Sequence, residues 1–296
     1  MKKNIIFIIN PISGKGYGKI LESKIHEFFK HKPFKVKTIF AEYAGNAIEI
    51  AKDQIKYNPD IIVACGGDGT INEVAQALVH KNIPLGIIPI GSGNGLASNL
   101  HIPKELDSSL HNLITNKAME MDVCKVNDKF FFSNMGLGID ANVIHRYAQQ
   151  KKRNFIGYFK ASLWSFFNFS PIYYDITVDQ VKLKSTEYFF VLCSNSNEAG
   201  YGISFTPNAK LNDGLIDVLC VEKLNILELV KFAVSVVTKK LDNFEKAKLL
   251  QAKSIIFKSN QHSLKSQIDG EAVELNTSNI EVSILPSALK VIMPRS

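Results

Sequence analysis

The sequence predicts two domains, an N-terminal α/β domain built on a doubly wound parallel sheet and a β-rich C-terminal domain. Three observations predict this class. The chain has 296 residues, which is more than a single compact domain usually holds. Apolar strand-like runs alternate with helix-like segments up to about Met119, as in doubly wound sheets. Beyond that point short strand-like runs separated by turn residues dominate.

The N-terminal elements follow one another in a regular strand–helix order. The first strand, residues 4–9, is apolar on both faces, as expected of a parallel strand covered by helices on two sides. Further strands are predicted at 35–40, 60–65 and 85–90, and helices at 20–29, 46–56, 71–79 and 95–100. We therefore assign residues 1–120 to a nucleotide-binding domain of the α/β type.

The second half contains eight strand-like runs, beginning with MDVCKV at Met121 and ending with IEVSIL at Ile280. Helical segments interrupt them at about 141–168 and 225–241. This pattern predicts a β-rich domain over residues 121–285. The closing run, LKVIMP, is another strand, and its pattern leaves open which sheet receives it.

Composition narrows the possible partners and the cellular compartment. The net charge of +7 and the pI near 9.0 favour anionic surroundings, although solubility alone explains them equally well. Four cysteines stand apart in apolar runs, which predicts reduced core thiols and a cytoplasmic location. No apolar run reaches the roughly 20 residues of a membrane span, and we expect no transmembrane helix.

Three glycine-rich segments follow predicted strands of the first domain: residues 10–19 (NPISGKGYGK), 66–73 (GGDGTINE) and 88–97 (IPIGSGNGLA). Ligands of parallel sheets bind beyond the carboxyl ends of the strands, and glycine loops with helix N-termini suit phosphate. The first segment is not a Walker loop, because Ser13 replaces its first glycine and Ile20 its hydroxyl residue. Three such loops at one sheet edge predict a phosphate-binding site.

Within the GGDGTINE segment, each of several residues has an expected role. Gly66 and Gly67 let the backbone approach a phosphate, and Asp68 can bind a metal-bound water or a ribose hydroxyl. Thr70 can cap the following helix in a capping box with Glu73. Asn72, in the first helical turn, can reach the ligand.

NPISG, GGDGTINE, GSGN, GLGIDA, NDGLIDV and IDGE occur here in that order, and over nearly the whole chain this set resembles the diacylglycerol kinase catalytic-domain family. That family includes soluble bacterial lipid kinases and the sphingosine and ceramide kinases; GGDGT alone also resembles NAD kinases. The resemblance implies an α/β N-terminal domain of the NAD-kinase/phosphofructokinase type, to which residues 286–296 return. It also implies a β-sandwich-like C-terminal domain, with the active site between the two.

The resemblance further implies ATP and Mg²⁺ as cofactors and a lipid hydroxyl as the acceptor. Nucleotide contacts would fall on Asn10, Pro11, Ile12, Ser13, Gly14, Gly66, Gly67, Asp68, Gly69, Thr70, Ile71, Asn72 and Ser92. A structural Mg²⁺ would be held by the Asp213 side chain and the carbonyls of Lys210 and Leu215. Two departures from the family pattern are Ala41, where threonine is frequent, and the loop Gly91–Gly95, which lacks the acidic residue of many bacterial relatives.

Asp269 and Glu271 are the candidate catalytic carboxylates. An Asp-Gly pair between strands is by itself most often a hairpin turn, but phosphoryl transfer to an alcohol needs a proton acceptor. The resemblance assigns that role to this segment. We favour Glu271 as the base, with Asp269 positioning it or holding Mg²⁺, and the reverse assignment stays open.

Residues 146–174 combine cations with bulky aromatic side chains. The cations are Arg146, Lys151, Lys152, Arg153 and Lys160, and the aromatics are Phe155, Tyr158, Phe159, Trp164, Phe166, Phe167 and Phe169. This combination is typical of a peripheral contact with an anionic membrane, although the same aromatics suit a domain core. No recognisable module supports nucleic-acid binding.

The sequence thus predicts a cytoplasmic, peripherally membrane-associated lipid kinase that uses ATP on a diacylglycerol- or sphingoid-type lipid. Two alternatives are a kinase of a soluble metabolite, similar to NAD kinases, and a non-catalytic nucleotide-regulated lipid-binding protein. The sequence specifies neither the lipid nor the oligomeric state, and a dimer stays open.

Overall fold

The computed structural model describes residues 2–150, 155–183, 185–197, 204–238 and 240–294. They form two compact units, Met1–Val123 with Pro286–Ser296, and Cys124–Leu285. The first unit is α/β and the second is mostly β. The predicted fold class is therefore confirmed.

The first unit contains the alternation that the sequence predicts. Its elements are β1 (Lys3–Ile9), α1 (Gly18–Phe29), β2 (Phe34–Phe40), α2 (Asn46–Ile55), β3 (Ile61–Gly66), α3 (Asp68–Leu78), β4 (Leu85–Pro89), α4 (Gly95–Asn99) and α5 (Leu106–Thr115). Helix α5 is an addition to the predicted set. Its N-cap is Glu105, whose carboxylate accepts the N–H groups of Asp107 and Ser108, and this satisfies two amides of the first turn.

The first sheet is parallel, with strand order β2-β1-β3-β4 followed by the end of β16 (Asn279–Ile292). Helices α1 and α5 pack on one face through a cluster that includes Leu21, Ile25 and Leu110. The chain leaves β1 for β2 on one side, whereas β3 lies on its other side. The carboxyl ends of β1 and β3 therefore form a topological switch point, where α/β sheets bind ligands.

The second unit is an antiparallel assembly. Its elements are the end of β5 (Ala118–Val126), β6 (Lys129–Phe131), β7 (Asn134–Gly138), α6 (Ile139–Ala148), α7 (Phe155–Asn168), β8 (Ile172–Val178), β9 (Val181–Lys182), β10 (Thr186–Ser194), β11 (Ile216–Glu222), α8 (Ile226–Val237), β12 (Ala247–Ala252), β13 (Ser254–Ser259), β14 (Leu264–Ile268), β15 (Glu271–Leu275) and the start of β16. The strand order is β15-β14-β7-β10-β8-β13-β16, and β11 joins β10 to β12. Strands β9, β12 and β15 are additions to the predicted set.

Alternating side chains give the second unit two apolar faces. Val191 and Cys193 of β10 point into one core cluster, and Phe190 and Leu192 point into another, which α8 covers with Phe232. This is the period of two expected of a strand buried on both sides. The four cysteines are buried free thiols. Within the described ranges no helix combines the length and apolarity needed to cross a bilayer.

Candidate active site

The three glycine loops meet at the carboxyl ends of β1, β3 and β4. The Asn10 N–H donates to the Cys65 carbonyl at 2.9 Å, and the Ile90 N–H donates to the Gly66 carbonyl at 3.0 Å. The Asn10 side-chain amide also donates to Thr70 Oγ1 at 3.1 Å. The first and second loops are thus joined by hydrogen bonds, and the second and third likewise.

Gly67 and Gly91 explain why these loops need glycine. A Cβ placed on Gly91 would lie 2.4 Å from Gly67 Cα, and one on Gly67 would lie 3.3 Å from Gly91 Cα. Real Cβ contacts are longer than the first of these distances, so the two backbones pack directly on each other. The glycines therefore serve close packing between loops, and they leave main-chain groups rather than side chains at the surface.

Asp68 holds the third loop in place. Its carboxylate accepts the N–H groups of Asn94 at 2.8 Å and Gly95 at 2.5 Å, where α4 begins. A carboxylate at a helix N-terminus is favourable because the helix dipole is positive there. Both Asp68 oxygens are therefore bonded to the protein.

The predicted capping box of Thr70 and Glu73 is wrong. Helix α3 begins at Asp68, so Thr70 lies inside its first turn and Gly67 is the N-cap. Glu73 instead accepts the N–H groups of Gly45 at 2.8 Å and Ala47 at 2.9 Å, at the start of α2. No side chain caps α3 in the part of the chain that the structure describes. Main-chain amides in the first turn of a helix that lack a side-chain acceptor can bind an anion.

The other residues expected to contact the nucleotide differ in their solvent exposure. Ile12, Gly14 and Ser92 are exposed, and Asn10, Pro11, Ser13, Gly69 and Asn72 are partly buried. Ile71 is fully buried, so it can offer only its main chain to a ligand. All of them lie at or beside the junction of the three loops.

Asp269 and Gly270 form the turn between β14 and β15, and Glu271 is the first residue of β15. Asp269 and Gly270 have φ values of 48° and 81°, as a two-residue type I′ hairpin requires. The Asp269 carboxylate accepts three main-chain N–H groups, from Phe132 at 2.9 Å, Ser133 at 2.7 Å and Asn134 at 3.1 Å. These bonds take the place of a strand partner, and the predicted strand KFFFSNMG is broken there into β6 and β7.

Glu271 is in a different position. It is exposed at the start of β15, and its carboxylate has no hydrogen bond or ion pair to any described residue. The Asp269 carboxylate is therefore hydrogen-bonded to the fold, whereas the Glu271 carboxylate has no partner among the described residues.

A buried polar layer lies beneath the turn, and sequence reasoning missed its members Gln267 and Asn134. The Gln267 side chain accepts the Gly270 N–H at 2.9 Å and donates to Asn134 Oδ1 at 2.7 Å. Asp140, in the first turn of α6, is half-buried as a whole, but its Oδ2 is fully buried and has no partner among the described atoms. Burial raises the pKa of the Asp140 carboxyl to about 6, and the amide of Gln267 opposes part of that rise. The polar residues Asn134 and Gln267 within the strand-like runs KFFFSNMG and LKSQID are the sequence signal that could have located this layer.

The predicted metal ligands lie beside a polar groove of the second unit, lined by Pro207, Asn208, Ala209, Lys210, Asp213 and Gln251. Asp213 Oδ1 accepts the Leu215 N–H at 3.1 Å. Burial raises the pKa of the nearby Asp217 to about 6, Gln251 opposes this, and the charge of Asp213 adds to it. Carboxylate and carbonyl oxygens beside a second carboxylate suit a hard cation. No described cluster of three metal-binding side chains exists, so carbonyls and water would complete the shell.

The predicted membrane segment is described only in part. Lys151, Lys152 and Arg153 lie outside the described residues, as do the side chains of Phe155, Tyr158, Phe159, Phe166 and Phe167. Arg146 stacks over the ring of Trp164 at 3.6 Å, a cation–π contact. Phe169 packs against Phe189 in the core of the unit. Part of this aromatic set is therefore core.

Two family models match the chain in succession. The model described as the diacylglycerol kinase catalytic domain matches residues 4–126, and the one described as the YegS C-terminal NAD kinase beta sandwich-like domain matches residues 133–293. A diacylglycerol kinase of Staphylococcus saprophyticus subsp. saprophyticus is 29% identical over 234 residues, which cover 77% of this chain and 76% of that protein.

Solved structures share the whole architecture. A diacylglycerol kinase from Bacillus anthracis str. Sterne has a TM-score of 0.71 at 18% identity, covering 99% of this chain and 97% of that one. An NAD kinase from Archaeoglobus fulgidus, solved in complex with ATP, has a TM-score of 0.54 at 13% identity, covering 98% and 93%. At these identities the likeness shows the fold alone.

Proposed function

Because this chain belongs to the diacylglycerol kinase catalytic-domain family, we propose that it transfers the γ-phosphate of ATP to a lipid hydroxyl at a membrane surface. Family membership makes it a lipid kinase, a phosphotransferase with an alcohol acceptor. The observation that carries the proposal is the contrast in the Asp269-Gly270-Glu271 turn. Three main-chain N–H groups fix Asp269, whereas Glu271 is exposed and unbonded.

The first unit supplies the nucleotide site in this proposal. Phosphates would lie against the loop junction, where Gly67 and Gly91 pack backbone to backbone and α3 begins without a side-chain cap. Main-chain amides and a helix N-terminus favour polyphosphate over other ligands. The ATP complex of the NAD kinase with the same fold supports ATP as the donor.

Glu271 is the proposed base. Its carboxylate accepts the hydroxyl proton as the lipid oxygen bonds to the γ-phosphorus, and the bond from that phosphorus to the β–γ bridging oxygen breaks to leave ADP. Asp269 is the proposed positioning residue, because it fixes the turn that carries Glu271. When bound, Mg²⁺ would offset the phosphate charge. A further Mg²⁺ would be held by Asp213 with the carbonyls of Lys210 and Leu215.

The proposal includes a cytoplasmic location and peripheral membrane association. Four buried free thiols are compatible with a reducing compartment. The proposed acceptor is a diacylglycerol- or sphingoid-type lipid, and the relative named diacylglycerol kinase supports the first of these.

A labelling assay tests the function. The full chain would be incubated with γ-labelled ATP and Mg²⁺, in separate reactions with dispersed short-chain diacylglycerol, sphingoid base, ceramide and NAD, and the product identified by mass. We expect label in one lipid. Label in NAD alone would establish the soluble-metabolite alternative, and ATP binding without any labelled product would establish a non-catalytic binder.

A further inference from the structure

We propose that the outer face of α8 is a docking surface for a phospholipid bilayer. This inference rests on the proposed function, because a lipid kinase meets its acceptor at a bilayer. The surface, called here the α8 stripe, consists of Ile226, Leu227, Val230, Val234 and Val237.

The α8 stripe is apolar and open to solvent. Its exposed fractions are 61% for Ile226, 75% for Leu227, 59% for Val230, 56% for Val234 and 82% for Val237. At about 100° per residue these five side chains fall within an arc of about 100°. Five aliphatic side chains in one arc form a contiguous patch rather than scattered surface residues, and such patches mark interaction sites.

The opposite face of α8 already has its partner. Phe232 is buried and stacks on Phe205 with ring centroids 6.4 Å apart, and it contacts Phe244 at 5.6 Å. Leu229 and Val236 pack against the same cluster. The helix is therefore apolar on two faces, and the core of the unit accounts for only one of them.

The α8 stripe is held rigidly. Asn225 and Glu228 form a capping box: the Asn225 side chain accepts the Glu228 N–H at 2.9 Å, and the Glu228 carboxylate accepts the Asn225 N–H at 2.8 Å. Glu228 also pairs with Lys246 at 2.8 Å. The acidic side chain of the helix is thus bonded and points away from the stripe. An anchored helix start and a packed inner face fix the orientation of the exposed aliphatics.

Lysines border the stripe. Lys231 lies on the helix beside it, Lys223 precedes the helix and Lys240 follows it, and all three are exposed. Lysine stems can lie along an apolar surface while their ammonium groups reach lipid phosphates. Exposed acidic residues at 222, 242 and 245 balance much of this charge. Insertion of aliphatic side chains therefore dominates the proposed contact, and attraction to anionic headgroups adds to it.

The dimensions of the helix favour a bilayer over a second copy of the chain. A helix of 12 residues is about 18 Å long and about 10 Å wide, so its outer face covers roughly 180 Å². A stable protein interface buries about 800 Å² on each partner. A bilayer has no such minimum, because each inserted aliphatic side chain contributes separately.

Vesicle flotation of the full chain tests the inference without using catalysis. The variant Leu227→Ser/Val230→Ser/Val234→Ser removes three side chains of the α8 stripe. The matched control Ile20→Ser/Tyr57→Ser/Val181→Ser removes three exposed apolar side chains from separate sites. Vesicles of phosphatidylcholine with phosphatidylglycerol, and of phosphatidylcholine alone, would be used.

We expect the stripe variant to bind both vesicle types at least tenfold more weakly than the control, with unchanged circular dichroism. Equal binding by both variants, or no binding by the wild-type chain, would overturn the inference. So would loss of a wild-type dimer in the stripe variant with vesicle affinity unchanged, because the stripe would then be a subunit interface. Labelling of dispersed short-chain lipid is measured in parallel, since its absence contradicts the proposed function and leaves the docking result standing.

Discussion

Asp269 and Asn134 hydrogen-bond to each other in both directions. The Asn134 N–H donates to the Asp269 carboxylate at 3.1 Å, and the Asp269 N–H donates to the Asn134 carbonyl at 2.8 Å. Together with the bonds from Phe132 and Ser133, this pair fixes the β14–β15 turn to the start of β7. The position of Glu271 therefore depends on a contact across more than 130 residues of sequence.

The variant Asp269→Ala should lose both stability and catalysis. Three N–H groups lose a charged acceptor, which costs about 3 kcal/mol of unfolding free energy. Because Glu271 then loses its fixed turn, kcat should fall more than the KM for ATP rises. Urea unfolding and initial rates measure the two effects.

Asp179→Ala is the matched control for this variant. Asp179 also accepts main-chain N–H groups in a turn of the second unit, from Lys253 at 3.0 Å and Ser254 at 2.8 Å. Its loss should lower stability by about 1 to 2 kcal/mol and leave kcat within twofold of the wild type. An equal fall of kcat in both variants would mean that lost stability, not the turn, explains the effect.

Gly91→Ala should weaken ATP binding. The added methyl group would lie 2.4 Å from Gly67 Cα, so the second and third loops must separate and the proposed phosphate surface is disrupted. We expect the KM for ATP to rise at least tenfold with the lipid KM unchanged. Gly67→Ala, whose Cβ would lie 3.3 Å from Gly91 Cα, should have a smaller effect. The reverse order would contradict the packing explanation for these glycines.

Asp140→Asn should make the protein more stable at neutral pH. Burial raises the pKa of Asp140 to about 6, above its unfolded value of about 3.9. The folded state therefore binds this proton more tightly than the unfolded state does. The resulting stabilisation is complete below about pH 4 and is lost as the pH rises through about 6.

Asparagine does not ionise, so Asp140→Asn avoids the loss of stability that ionisation of the buried Asp140 carboxyl causes. The unfolding free energy of Asp140→Asn at pH 7.5 should exceed that of the wild type by about 2 kcal/mol, and the difference should shrink toward pH 4. Urea unfolding between these pH values measures it. Asp217 keeps its own raised pKa in both proteins, so only their difference is diagnostic. The exposed Asp128→Asn serves as the control and should show no such pH trend.

Asp213→Ala should abolish stabilisation by Mg²⁺ in the second unit. A ligand that binds only the folded state at 100 times its Kd adds about 2.7 kcal/mol of unfolding free energy. We expect Mg²⁺ to raise the Tm of the wild-type chain and of the exposed control Asp242→Ala, but not that of Asp213→Ala. An identical Mg²⁺ response in all three proteins would remove Asp213 from the proposed metal site.

The parallel strands could be predicted from sequence because burial on both faces leaves a continuous apolar run, as in β1 and β3. Helix α5 was not predicted, since its apolar residues are separated by serine, asparagine and histidine and its cap is Glu105. The capping box failed for a related reason. Gly67, three residues before Thr70, is the N-cap of α3, and the Glu73 carboxylate accepts main-chain N–H groups at the start of α2.

The glycine loops and the Asp269-Gly270-Glu271 turn could be located from the sequence, but the different hydrogen bonding of the two carboxylates could not. Whether Asp269 or Glu271 is bonded depends on where Phe132–Asn134 lie in space, and spacing within the turn carries no such information. The same holds for Gln267 and Asn134, which occupy strand positions that look ordinary in sequence. Contacts between distant segments decide these roles.

The rate of phosphoryl transfer by Glu271→Gln tests the central claim most directly, with Glu274→Gln as the matched exposed control on the same strand. With the best lipid acceptor, loss of the base should lower kcat roughly 100- to 10,000-fold. The Kd for ATP and the unfolding free energy of Glu271→Gln should equal those of Glu274→Gln within experimental error. Wild-type kcat in a folded Glu271→Gln protein would contradict the assignment of Glu271 as the proton acceptor.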